Sequence, residues 1–142
     1  MNEGYLFEQV LLDRIKSMGI FEEIHYETDL RKRWGWHMSS IDYLMVYQNK
    51  IIVVIQAKWR RTRRRENAAV QNFIRSIEYV KRCYQSYKLI GLWVSRMVPF
   101  EDNQCNLQSY NVYCVSNDND MANLANSMQQ KLNAMLTSEH TA

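Results

Sequence analysis

The spacing of hydrophobic residues predicts three helices, one near each end of the chain and one in its middle. Over Gly4–Met18 apolar side chains recur at helical intervals, and the segment ends at Gly19, a residue suited to a left-handed C-terminal cap. The same spacing predicts a second helix from about Asn67 to Ser86. A final helix is indicated by a similar series of apolar residues: Met121, Leu124, Ala125, Met128, Leu132 and Met135.

A β-hairpin is predicted where two segments rich in β-branched and aromatic residues flank a short polar connection. These segments are Ile41–Tyr47 and Ile51–Trp59, joined by Gln48–Lys50. Shorter segments of the same kind predict further strands: an edge-strand candidate at Ile20–Thr28, a third strand at Lys88–Ser95 and a fourth at Val112–Val115.

Two polar stretches are expected to form loops, namely Asp29–Ser40 and the stretch from Pro99 through Ser109. No internal repeat or Gly/Ser/Pro-rich linker divides the 142 residues, a length typical of one domain. We therefore expect a single α/β domain over residues 1–142. Its expected element order is α, β, β, β, α, β, α, with a mixed four-stranded sheet flanked by helices.

The composition argues against several classes of protein. Hydrophobic residues make up 46% of the chain and charged residues 23%, a balance typical of folded domains. No segment approaches the roughly 18 uninterrupted apolar residues of a membrane helix. The opening MNEGYLFEQ carries acids where a secretory signal carries positive charge, so we expect an intracellular protein, cytoplasmic or nucleoid-associated. The three cysteines lack CxxC spacing and the three histidines lack HxxxH spacing, so neither a disulfide framework nor a structural zinc site is supported.

Positive charge is concentrated in one segment. The chain has 18 Lys and Arg residues against 15 Asp and Glu residues, a formal charge of +3. Six of these cations, and no acid, lie in Lys58–Arg65. The rest of the chain is therefore net negative, and the basicity is local.

Polar residues interrupt the predicted hairpin at its open end. Asp42 begins the first strand, and Gln56 and Lys58 lie two positions apart on the second, so their side chains project from one face. If Tyr47 pairs with Ile51 across the turn, Asp42 lies opposite Gln56. A carboxylate, an amide oxygen and an ammonium group are then expected to converge.

These residue types are suited to a magnesium site. Asp42, the side-chain oxygen of Gln56 and the carbonyl of Ala57 offer three oxygen ligands of the kind that Mg²⁺ prefers. Glu8, at the edge of the apolar face of the first helix, offers a second carboxylate. Lys58 would lie beside a metal-bound water, where an ammonium group stabilises charge developing on a phosphate.

The same residues resemble the PD-(D/E)XK nucleases, whose core carries an acid on the first helix, an aspartate on the second strand and an (E/Q)xK motif on the third. GYLFEQVLLDRIKSMG is similar to the opening of this superfamily, SSIDYLMV to its aspartate strand, and IQAKW to the QxK variant of Mrr-type restriction endonuclease domains. Small homing endonucleases and Holliday-junction resolvases of the superfamily are similar in size and element order.

This resemblance implies a restriction-endonuclease-like core with Glu8, Asp42, Gln56 and Lys58 in the four active-site positions. It also implies Mg²⁺ as the cofactor, with Mn²⁺ able to substitute. The sequence departs from the family pattern at two places. Ser39-Ser40 stands where a proline or glycine usually precedes the aspartate, and Gln56 replaces an acid, so metal affinity would depend more on Asp42 and Glu8.

Two basic groups are candidate DNA contacts. Arginine binds phosphate through two parallel hydrogen bonds, and contacts of this kind position DNA without reading its bases. The first group directly follows Lys58 and consists of Arg60, Arg61, Arg63, Arg64 and Arg65. The second combines cations with aromatic rings that can stack on an exposed base, or alternatively pack as a lid on the hairpin: Arg31, Lys32, Arg33, Trp34 and Trp36.

Together these observations predict a metal-dependent DNA endonuclease, restriction-like or homing-like, that hydrolyses phosphodiester bonds of duplex DNA. We expect a homodimer or homotetramer, because so small a domain covers only part of a long site.

A Holliday-junction resolvase and a non-catalytic nucleic-acid-binding module with the same fold remain alternatives. In the plainest interpretation, Asp42 only begins a strand, while Gln56 and Lys58 are solvent-facing residues of an edge strand.

Overall fold

A five-stranded mixed β-sheet forms the centre of the structure, and helices cover both of its faces. The computed structural model describes residues 2–141. In chain order the elements are α1 (Glu3–Met18), β1 (Glu23–Tyr26), α2 (Glu27–Trp34), a 3₁₀ helix (Gly35–Met38), β2 (Tyr43–Tyr47), β3 (Ile51–Lys58), α3 (Asn67–Cys83), β4 (Lys88–Ser95), α4 (Glu101–Gln108), β5 (Val112–Ser116) and α5 (Met121–Thr141).

Helix α1 is bounded by a cap at each end. The side chain of Asn2 accepts a hydrogen bond from the Gly4 N–H at 2.8 Å. At the other end Gly19 adopts a φ of 65°, the left-handed conformation predicted for it. The buried face of α1 includes Phe7, which places the neighbouring Glu8 at the edge of that face.

The strands follow one another across the sheet in the order β1-β2-β3-β4-β5. The first three pair antiparallel, while β4 and β5 run parallel to β3. Tyr47 pairs with Ile51, so the register predicted for the hairpin is confirmed. Gln48 and Asn49 in the turn both have positive φ, which tight hairpin turns favour. Asp42 immediately precedes β2, and its N–H donates to the Ile55 carbonyl at 2.9 Å.

Alternate residues of β3 belong to two separate hydrophobic cores. Ile51, Val53, Ile55 and Ala57 share a core with residues of α1 and α5. Ile52 and Val54 share the other core with residues of α2, α3, α4 and the 3₁₀ helix. Because β3 is covered on both faces, its apolar residues form a nearly continuous run, as expected for a central strand. The assignment of β3 to a solvent-facing edge strand is therefore wrong.

The predicted α/β class is confirmed, but the predicted four-stranded sheet and the order α, β, β, β, α, β, α are incomplete. The sheet has five strands because Glu23–Tyr26 pairs with β2 along its whole length. The two predicted loops are also wrong. Asp29–Ser40 lies mainly in α2 and the 3₁₀ helix, anchored by buried Leu30 and Met38, and the second polar stretch contains α4, anchored by buried Leu107.

Within the described residues, no helix has the length and apolar character needed to cross a lipid bilayer.

Candidate active site

Three carboxylates from three different elements meet at the open end of the β2–β3 hairpin. Glu8 comes from α1, Glu27 begins α2, and Asp42 precedes β2. One carboxylate oxygen of each residue lies within 4.8 Å of those of the other two. The sheet register explains the meeting, because Tyr26 pairs with Tyr43 and so brings Glu27 and Asp42 to one end of neighbouring strands.

Asp42 is held by donors on β3. It is 6% exposed, and its Oδ2 accepts hydrogen bonds from the Ala57 N–H at 2.7 Å and the Gln56 Nε2 at 2.9 Å. Gln56 Nε2 also lies 3.4 Å from the Ala57 carbonyl oxygen. The Gln56 amide nitrogen therefore lies between two oxygens that were predicted as metal ligands, the Asp42 carboxylate oxygen and the Ala57 carbonyl oxygen. A half-turn of the Gln56 amide would exchange its nitrogen and oxygen.

Burial and mutual repulsion raise the pKa values of two of these acids. Burial raises the pKa of Asp42 well above its ordinary value, although the hydrogen bond from Ala57 opposes the shift. Burial likewise raises the pKa of Glu8, against a hydrogen bond with Asp42. The charge of Glu27 raises both pKa values further. The site therefore favours binding of a proton or a cation.

Lys58 lies beside this cluster at the end of β3. Burial lowers the pKa of Lys58, and Arg60 lowers it further, while Glu66 and Asp42 raise it. Lys58 in turn lowers the pKa of both Glu8 and Asp42. Of the four predicted active-site residues, Asp42 and Gln56 thus meet through a hydrogen bond, the Glu8 carboxylate lies beside that of Asp42, and Lys58 acts on the two acids through its charge.

The acids open onto a cleft of about 510 Å³ between α1 and the start of α2. Two exposed tyrosines, Tyr5 and Tyr26, line this cleft together with Lys16. The hydroxyl of Tyr43 donates to the backbone carbonyl of Glu8 and so ties α1 to β2. We call this feature, with its three carboxylates, the acidic cleft.

Glu27 is the residue of this cluster that sequence reasoning missed. The sequence predicted Ile20–Thr28 as one loose edge strand, which gave Glu27 no particular position. In the structure β1 ends at Tyr26, and Glu27 is the first residue of the next helix. Glu27 could have been found by pairing the predicted edge strand antiparallel with the hairpin, because that pairing places Glu27 opposite Asp42.

The arginines that follow Lys58 already have partners within the chain. Arg60 and Arg64 pair with Glu66, Arg61 pairs with Glu3, and Arg65 pairs with Asp102. Arg63 donates to the carbonyls of Val98 and Pro99, at 2.8 and 3.2 Å, and lies over the Phe100 ring. We call Arg60–Arg65 the arginine segment. The pairs of Arg61 and Arg65 are exposed and contribute little free energy, whereas Glu66, the partner of Arg60 and Arg64, is 15% exposed.

The second predicted DNA-binding group divides into packed and exposed residues. Arg31 pairs with Glu27 at 3.6 Å, and the Arg33 guanidinium lies 5.1 Å from the Trp34 ring centroid. Trp34 packs against Tyr84, as the lid alternative anticipates, whereas Trp36 is 76% exposed. Lys32 is exposed on α2.

Comparison of the chain with protein-family models, with curated proteins and with solved structures found no match. The fold and the site together define an α/β domain with a carboxylate cluster at the end of an antiparallel hairpin.

Proposed function

We propose that this chain is a metal-dependent nuclease that hydrolyses phosphodiester bonds of DNA at the acidic cleft. The observation that carries the proposal is the meeting of Glu8, Glu27 and Asp42 within 4.8 Å of one another. Like charges crowded into a partly desolvated site cost free energy, and a bound cation relieves that cost. Glu27 also has a structural role, because it begins α2 and pairs with Arg31 at 3.6 Å.

The three acids would be the ligands of the cation. Carboxylate oxygens suit Mg²⁺ and Mn²⁺, in agreement with the cofactor expected from the sequence. When bound, such an ion lowers the pKa of its water and neutralises charge on the phosphate. The donor set proposed here replaces the amide oxygen of Gln56 and the carbonyl of Ala57 with Glu27.

The other polar residues orient and charge the site. Gln56 and the Ala57 N–H fix the rotamer of Asp42 through their two hydrogen bonds. Lys58 places positive charge beside the carboxylates, where it would stabilise the negative charge that develops on the phosphate. The arginine segment, which directly follows Lys58 in the chain, would contact neighbouring phosphates.

The position of these residues also supports the proposed kinship with PD-(D/E)XK nucleases. An acid-bearing helix precedes a hairpin that carries an aspartate before one strand and Gln56-x-Lys58 at the end of the other. The strand that carries Gln56 and Lys58 is central in the sheet. We propose a restriction-like or homing-like endonuclease that acts as a homodimer or homotetramer.

The test is plasmid cleavage with Mg²⁺ or Mn²⁺. Supercoiled plasmid and a four-way junction are incubated with the wild-type protein and with Asp42→Asn, Lys58→Ala and Asp13→Asn proteins. Asp13 is an exposed acid on the same helix as Glu8, so its variant is a matched control. We expect the wild type and the control to cut, and the other two variants to lose cutting. Equal cutting by all four proteins would contradict the proposal, and a strong preference for the junction would favour a resolvase.

One observation favours a non-catalytic nucleic-acid-binding module as a second candidate. The hydrogen bonds from Gln56 and Ala57 already satisfy Asp42 Oδ2 without a cation. Titration calorimetry with Mg²⁺ separates the two functions. A metal-binding signal that is lost in the Asp42→Asn protein supports the nuclease, whereas salt-sensitive DNA binding with no metal signal and no cleavage supports the module.

A further inference from the structure

Three aromatic rings form a stack on the surface, on the face of the sheet that α3 covers. Trp36 stacks on His37 with a centroid distance of 4.4 Å and an interplanar angle of 26°. His37 stacks in turn on Tyr79 of α3, at 4.7 Å and 12°. We call these three side chains the aromatic stack. One face of the Trp36 ring is covered by His37, and with 76% of the residue exposed, its other face is open to solvent.

The stack is fixed to the body of the protein. Tyr79 packs against the hydrophobic core on this side of the sheet. The hydroxyl of Ser76, a buried residue of α3, donates to the His37 carbonyl at 2.7 Å and ties the 3₁₀ helix to α3. A preorganised ring loses little conformational entropy when a ligand stacks on it. An exposed tryptophan held in this way is suited to bind a second flat ring.

Cations lie beside the stack. An open groove of about 480 Å³ is lined by the three aromatic side chains, by Arg75 and Arg82 of α3 and by one acid, Glu78. The Arg82 guanidinium lies 5.8 Å from the Tyr79 ring centroid. Aromatic faces next to arginines match a planar base attached to a phosphate. This combination distinguishes a nucleotide from an apolar peptide as the occupant.

A short stretch of chain connects the groove to the acidic cleft. Ser39 and Ser40 line the groove, and Asp42 follows only two residues after Ser40. A base inside a continuous duplex is stacked on both faces, so only an unpaired or flipped base can offer a face to Trp36.

We infer that Trp36 stacks on an unpaired nucleobase of DNA, with Arg75 and Arg82 next to its phosphates. The substrate class is then DNA that contains a single-stranded segment or a displaced base, which narrows the proposed endonuclease from continuous duplex to such sites. This inference rests on the proposed nuclease function of the acidic cleft and specifies its substrate.

The experiment measures DNA binding without cleavage. Fluorescence anisotropy in EDTA compares a labelled single-stranded oligonucleotide with a duplex of the same sequence. The proteins are the wild type, Trp36→Ala, Trp36→Phe and Tyr113→Ala. Tyr113 is a matched control because it is another exposed aromatic residue and has the cation Lys131 over its ring, at 5.0 Å.

We expect Trp36→Ala to weaken binding of the single strand by at least about fivefold, the effect of losing one stacked base. Trp36→Phe should retain most of the affinity, and Tyr113→Ala should bind like the wild type. Duplex binding should change less than about twofold in every variant, because phosphate contacts dominate it. Any of three results would overturn the inference: unchanged binding by Trp36→Ala, equal loss for single strand and duplex, or equal loss in the Phe and Ala variants.

The result of the anisotropy measurement does not depend on the result of the plasmid cleavage test. Because EDTA removes divalent metal, the anisotropy measurement does not require a functional acidic cleft. Metal-dependent cleavage together with unchanged binding by Trp36→Ala would overturn the substrate inference alone. Selective loss of single-strand binding in Trp36→Ala, without metal-dependent cleavage by the wild type, would overturn the nuclease proposal alone.

Discussion

The acidic cleft and the arginine segment are close neighbours along the chain, but their charges are held in opposite ways. The acids of the cleft lie against one another, and burial raises the pKa of Asp42 and of Glu8. The arginines are mostly exposed, and each has an acid or a carbonyl oxygen as its partner.

This difference indicates where binding energy can be gained. Exposed ion pairs contribute about 0–1 kcal/mol, so exchanging Glu3 or Asp102 for a phosphate changes the free energy little. A cation that binds among crowded, partly buried carboxylates relieves repulsion that the folded protein otherwise carries. In the proposed nuclease, the cleft should therefore dominate metal dependence and activity, while the arginine segment should determine the salt dependence of DNA binding.

The largest expected effect comes from Glu27, the acid that the sequence did not reveal. Glu27→Gln should lower metal-dependent cleavage by at least about 100-fold, because it removes one carboxylate of the proposed cation site. Asp29→Asn, two residues further along α2, is the control and should cleave like the wild type. The measurement is the initial rate of plasmid nicking. Wild-type rates for Glu27→Gln would mean that the cleft needs only Glu8 and Asp42.

The second-largest expected effect is on the pH dependence of the free energy of unfolding, measured in EDTA. Because the pKa of Asp42 is raised, the folded protein binds more protons than the unfolded chain between the ordinary and the raised pKa. The free energy of unfolding therefore falls as pH rises through that window. We expect the melting temperature of the wild type to fall as pH rises from the ordinary pKa of an aspartate towards the raised pKa of Asp42, and that of Asp42→Asn to fall less, by at least about 2 °C.

Glu8 keeps its raised pKa in the Asp42→Asn protein, so a reduced slope is expected and not a flat one. Lys58 acts in the opposite direction at higher pH, because its lowered pKa makes stability rise toward pH 10.5. The same slope of melting temperature against pH in the wild type and in the Asp42→Asn protein would show that Asp42 is not destabilised by its surroundings.

The smallest effects separate two residues of the arginine segment. Arg63→Gln should destabilise the protein by about 1 kcal/mol, because it loses two hydrogen bonds to carbonyls and its contact with Phe100. Arg61→Gln should change stability by less than about 0.5 kcal/mol, because Arg61 is 81% exposed and has one exposed partner. Urea unfolding measures the change in stability of both variants. Equal destabilisation would mean that the contacts of Arg63 stabilise the fold no more than the ion pair of Arg61 does.

The features that the sequence predicted are those whose signals lie within short stretches of the chain. The hairpin register was predictable because a short polar turn separates two long apolar runs, and that register places Asp42 beside Gln56. Helices with broad apolar faces, such as α1 and α3, were predictable from periodicity. These signals are local, since they depend on residues close together in the chain.

Features that depend on few buried residues or on distant partners were missed. Helix α2 buries only Leu30 among its eight residues, so its periodicity is too weak to mark it. Helix α4 likewise buries Asn103 and Leu107 alone among its residues. The pairing of Arg65 with Asp102 joins residues 37 positions apart, and no local pattern encodes it. Such partners follow from the tertiary arrangement alone.

The sequential order of the strands has a consequence for folding. Each strand of the sheet hydrogen-bonds to the strand before or after it in the chain. The hairpin of β2 and β3 pairs residues of low sequence separation, which costs little loop-closure entropy, and β1 pairs with β2 across α2 and the 3₁₀ helix. All the acids of the cleft lie on α1 or within this three-stranded unit. The repulsion among them is therefore present as soon as this unit docks on α1, and it does not require the two parallel strands.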